Sequence, residues 1–123
     1  MQTQYFTLPE WNFVGGETQT RIFKLYEPNE IYVMNLQGAS SEVSVTDFVN
    51  PEGNASFIKP AVISEDESGK ACYVTVSFTP NDTISMNGKY IYQITIRDIK
   101  GNVAAPRGVM RISQNIDQAF SLG

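Results

Sequence analysis

There is no histidine among the 123 residues and only one cysteine. The missing imidazole removes the commonest general base and the commonest metal ligand together. A single thiol cannot form an internal disulfide, and one thiol without histidine cannot build a structural zinc site. No apolar run approaches the roughly 20 residues that a membrane-crossing helix needs. The phosphate-cradling patterns G-x-x-x-x-G-K-[ST] and G-x-G-x-x-G are both missing. The opening stretch MQTQYFTLPEWNF lacks a basic segment followed by an apolar one, so no secretory signal is expected. The sequons at Asn54 and Asn81 then read as polar turns.

Carboxylates are the remaining source of chemistry. Glu65, Asp66 and Glu67 lack the D-x-[DN]-x-[DN]-G spacing of a calcium loop and read as a solvated turn. Asp47 and Asp98 end strands, where Asp is ordinary turn chemistry, whereas a glycosidase needs two carboxylates across a cleft. The expectation is no enzyme, no catalytic residue, no cofactor and no metal. The net charge of −4 argues against a nucleic-acid binder, which must neutralise phosphates. Its distribution is uneven. Residues 1–88 carry 4 basic and 11 acidic side chains, a net −7; residues 89–123 carry 5 and 2, a net +3. Two readings stay open: a surface with both signs mixed, or opposed surfaces that help copies find each other.

What is abundant is alternation. In residues 88–102 (GKYIYQITIRDIKGN), Tyr90, Tyr92, Ile94 and Ile96 share one side of an extended chain. Ile91, Gln93, Thr95 and Arg97 share the other, the period-2 pattern of a strand. Residues 71–79 alternate as cleanly, with Cys72, Val74, Val76 and Phe78 inward, so Cys72 reads as a small buried hydrophobe. Further strands are expected over 4–8 and 11–14, broken by Pro9, and over 18–26, 31–36, 42–46, 57–63 and 108–114. Pro60 marks 57–63 as an edge strand. Thr79 and Pro80 suit the start of one helical turn. A chain of this length, 41% hydrophobic, is long enough to bury its own core as one domain over 1–123. The fold class expected is all-β, a β-sandwich of about 7–9 antiparallel strands without a disulfide.

One pattern narrows this to an immunoglobulin-like sandwich. Such domains carry a tyrosine at the corner leading into the F strand, its hydroxyl bonded back to nearby backbone. Residues 82–92 (DTISMNGKYIY) supply the corner, the glycine and Tyr90, with Tyr92 where a cysteine would stand. Both are candidate corner residues. Tyr5, Phe6, Trp11 and Phe13 form either a platform for sugar stacking or part of the core. The apolar ends, 1–14 and 116–123, are candidate docking segments, with Trp11, Phe13, Phe120 and Leu122 as candidate interface residues.

Read in order, FVGGET (13–18), RIFKLY (21–26), LQGAS (36–40), GKYIYQITIRD (88–98), GNV (101–103) and GVMRISQNI (108–116) resemble a known group. That group is the immunoglobulin-like N-terminal domain family of phage baseplate upper proteins, with related small phage and prophage tail proteins. The resemblance runs over nearly the whole chain. It implies a structural component of a phage or prophage tail or baseplate, synthesised in the bacterial cytoplasm and carried in the virion. Its partners would be other tail or baseplate proteins and further copies of itself, met through an exposed strand edge, with no nucleic acid and no membrane. The alternative is a carbohydrate-binding or adhesin module of a gut bacterium.

Overall fold

Alternation becomes strands with one buried side in the computed structural model, which describes residues 8–25, 35–49, 57–101 and 103–117. Among these are eight strands and one helical turn: β1 Trp11–Val14, β2 Gln19–Lys24, β3 Ser40–Asp47, β4 Phe57–Glu65, β5 Ala71–Phe78, α1 Pro80–Thr83, β6 Gly88–Arg97, β7 Val103–Ala104 and β8 Arg107–Ser113. The strands follow one path, β1-β8-β6-β3-β4-β5-β2, with β7 beside β6. Strand β4 divides the path into two layers. Its residues 57–61 pair with β3, and residues 62–65 pair with β5. The first layer is thus β1, β8, β6, β3 and the start of β4; the second is the end of β4, β5 and β2. This is an all-β, immunoglobulin-like sandwich without a disulfide, its one cysteine free and buried.

The core lies between the layers. Val43, Val45, Tyr92, Ile94, Met110 and Ile112 face inward from the first, and Phe23, Val74, Val76 and Phe78 from the second. Each such side chain contributes about 1.5–3 kcal/mol on burial, which offsets the entropy of ordering the strands. Trp11 stacks on Phe78 at 5.1 Å between ring centroids and meets Tyr92 edge-on at 5.8 Å. At one end of the sandwich, the turn after β1 locks onto α1. The Gly16 amide donates to the buried Thr83 hydroxyl at 3.0 Å. A Cβ at Gly15 would stand 2.6 Å from the Thr83 carbonyl oxygen, so only glycine fits this approach. The Asp82 carboxylate accepts from the Thr79 amide at 2.7 Å and from Lys59 of β4 at 2.5 Å. Burial pushes that carboxyl up, but Lys59 and Thr79 more than offset it and hold it below its ordinary value.

Two expectations need correction, and one strand is additional. The sandwich is not wholly antiparallel, because β1 runs parallel to β8, in register from Trp11↔Met110 to Val14↔Ser113. A parallel neighbour requires a long crossover, and here almost the whole domain separates the two strands. Pro60 falls on an edge as expected, because residues 57–61 of strand β4 end the first layer, although the strand goes on to join the second. The strand pairs with β3 before the switch and with β5 after it, never with both at once, so a residue without an N–H is tolerated. Leu36 lies before a turn, buried but not in a strand. The two-residue β7 was not foreseen. The expected strands at 4–7 and 31–34 lie outside the described residues.

Candidate functional site

The residues singled out from sequence fall in different places. Tyr90 stands at the α1–β6 corner, where its hydroxyl accepts from the Asn87 amide at 3.1 Å and donates to the Asn87 carbonyl at 3.4 Å. Tyr92, two residues on, has no part in that corner. It is wholly buried, and its hydroxyl donates to the Pro9 carbonyl just ahead of β1. Burial pushes its pKa up to about 12. Trp11 and Phe13, candidates for an interface or a sugar platform, are 4% and 7% exposed. Parallel pairing with β8 turns both inward, so neither can meet a partner or a sugar. Phe120 and Leu122 lie outside the described residues.

Strand edges are also partly closed. At β1, the Glu10 carbonyl accepts from Arg21 at 3.1 Å, and the Val14 amide donates to the Glu17 carboxylate at 2.6 Å. Side chains thus hold backbone groups that an added strand would need. The layer faces remain for contact. On the second layer, Ile22, Thr75 and Val62 stand in register across β2, β5 and β4. Ile22 is 62% exposed and Val62 64%, an apolar row turned to solvent.

The outer face of the first layer is different in kind. Odd-numbered residues of β6 and β8 point outward, and their register pairs Lys89 with Arg111, Ile91 with Val109 and Gln93 with Arg107. Arg97 stands further along, opposite Ser40. The result is a small apolar centre with cations on both sides. Ile91 is only 2% exposed although it faces away from the core. The Lys89 ammonium lies 3.7 Å from the Phe48 ring centroid, and Arg107 donates to Gln93 at 2.7 Å. Arg111 is paired with Glu10 at 2.8 Å, and that guanidinium holds the Glu10 carboxyl below its ordinary value. Among the described residues, Lys89, Arg97 and Arg107 make no ion pair. Where this face meets β3, Ser40, Ser41, Glu42, Thr95 and Arg97 line an open depression of about 210 Å³. The Ser41 hydroxyl oxygen is buried there without a hydrogen-bond partner. The face was legible as alternation at 89–97 and 107–113, but charge counted by stretch rather than by parity hid it.

At the far end of the β4–β5 hairpin, Asp66 shapes the turn. One carboxylate oxygen accepts from the Ser68 amide at 2.9 Å, the Ser68 hydroxyl at 2.7 Å and the Lys70 amide at 3.0 Å. These bonds, the Ser68 hydroxyl first, hold its pKa at about 2. Glu65 and Glu67 flank it, both exposed. Among the described residues, no three Cys, Asp or Glu side chains converge as metal ligands would. No helix there is long and apolar enough to cross a membrane.

No family model matches this chain, and no curated protein matches it. Among solved structures, it is similar to the crystal structure of CopC from Methylosinus trichosporium OB3b. The TM-score is 0.47, with 11% identity over 85% of each chain. A likeness this distant carries no argument about function.

Proposed function

We propose that this domain is a structural component of a phage or prophage tail or baseplate and acts through protein–protein assembly contacts. The phage assignment rests on the order of sequence motifs from residue 13 to residue 116. The assembly role rests on one observation, the solvent-facing row of Ile22, Thr75 and Val62 on a regular sheet. Apolar side chains aligned on a sheet face suit a protein neighbour, since burying them there gains what the fold left exposed. In this reading the chain is made in the bacterial cytoplasm and ends in the virion, beside other tail proteins. The carbohydrate-binding alternative has lost Trp11 and Phe13 as a platform, because both lie in the core. The test is mass spectrometry of gradient-purified particles after induction of the host bacterium. The chain is expected at a fixed ratio to known tail proteins. Its absence from particles, together with binding on a glycan array, would overturn the proposal in favour of the alternative.

A further inference from the structure

We propose that copies of this domain associate head to tail, the acidic β4–β5 hairpin tip of one docking on the cationic outer face of the next. The inference rests on the assembly role above and names the two surfaces involved. The observation behind it is charge complementarity between two patches of one chain. Lys89, Arg97, Arg107 and Arg111 all project from the outer face of β6 and β8, and only Arg111 has an acidic partner among the described residues. At the turn between β4 and β5, Glu65, Asp66 and Glu67 sit at a hairpin tip whose shape is fixed by the bonds Asp66 makes to Ser68 and Lys70. The tip therefore presents Glu65 and Glu67 in a set geometry. The face offers guanidinium forks; Arg97 stands beside the hydroxyls of Ser40 and Thr95, with the Glu42 carboxylate lining the same depression. Because face and tip are different surfaces, the contact is heterologous and propagates into a ring or an open chain.

Four exposed residues test this without touching the core. One variant reverses the face, Arg97→Glu with Arg107→Glu; the other reverses the tip, Glu65→Lys with Glu67→Lys. Sedimentation velocity is run on the wild type, each variant and their equimolar mixture, at about 20 mM and about 500 mM salt. Unchanged melting temperatures establish that both variants fold. The wild type is expected to associate at low salt and to separate at high salt. Each variant alone should associate at least about tenfold more weakly, and the mixture should recover association, since every tip then meets a face of opposite sign. A wild type monomeric at low salt, a reversal that leaves association unchanged, or a mixture that fails to recover it would each overturn the proposal. If the wild type is monomeric yet present in purified particles, the head-to-tail contact falls and the tail assignment stands. Charge-dependent association of a chain absent from particles would mean the reverse.

Discussion

Gly108 faces Tyr92 across the β6–β8 ladder, and the missing side chain is what lets the tyrosine ring lie over strand β8. A Cβ added at 108 would stand 2.6 Å from Tyr92 Cε1, 2.7 Å from Cζ and 2.8 Å from Oη. Carbon atoms in ordinary contact sit about 3.5–4.0 Å apart, so the overlap is roughly 1 Å. The ring has nowhere to go. It is 0% exposed, packs on Trp11 and Phe23 at 5.8 Å each, and is anchored by its hydroxyl to the Pro9 carbonyl. Overpacking of this kind costs about 1–3 kcal/mol, and displacing the hydroxyl adds about 1 kcal/mol. Gly108→Ala should therefore destabilise the domain by about 3 kcal/mol. Urea unfolding followed by the fluorescence of Trp11, the single tryptophan, reads this directly. With a slope of about 1.5–2 kcal/mol per M, the midpoint should fall by roughly 1.5–2 M. In a Tyr92→Leu background the ring is gone, and the same substitution should cost less than about 1 kcal/mol. A loss below about 0.5 kcal/mol, or an equal loss in both backgrounds, would refute the reasoning.

Three further outcomes are expected. The Asp66 carboxyl sits at about 2 against an ordinary 3.8, so the unfolded chain takes up its proton first. The stability it confers is complete above about pH 4 and is lost as pH falls toward 2; Asp66→Asn should flatten that part of a denaturation-midpoint profile against pH. For Tyr92, burial raises the hydroxyl from an ordinary 10 to about 12, so its contribution is complete below about pH 10 and lost between pH 10 and 12. Tyr92→Phe should remove that component of the alkaline transition and cost about 1–2 kcal/mol at pH 7, measured by urea titration. Tyr90→Phe removes both hydroxyl bonds to Asn87 and should lower the melting temperature by about 3–5 °C in calorimetry.

Local pattern accounts for what could be read in the sequence. Alternation at Tyr90, Tyr92, Ile94 and Ile96, and at Cys72, Val74, Val76 and Phe78, reports which face of a strand is buried, because each face repeats every second residue. The Thr79-Pro80 start and the Tyr90 corner were legible for the same reason, since each depends on a few neighbouring residues. What was not legible depends on residues distant in the chain. Nothing near Trp11 says that it runs parallel to Met110, about a hundred residues away, and that pairing is what buries the indole. Nothing beside Pro60 says that its strand changes layer there. The role of Gly108 needs Tyr92 opposite it, and the cationic face needs β6 and β8 side by side. Burial of Trp11 and Phe13 thus follows from register, whereas their expected surface roles were inferred from residue type alone.

Hydrogen exchange, compared between the free domain and the domain in purified particles, tests most directly whether this sandwich works by protein contact. Amides of β3 and the middle of β6 should exchange slowly in both states, because they belong to the core layer. In particles, added protection should appear at residues 65–70 and 107–113, the tip and the face assigned to contact, and in the row containing Ile22 and Val62. Identical exchange in the two states would contradict the account, as would protection confined to segments remote from all three surfaces.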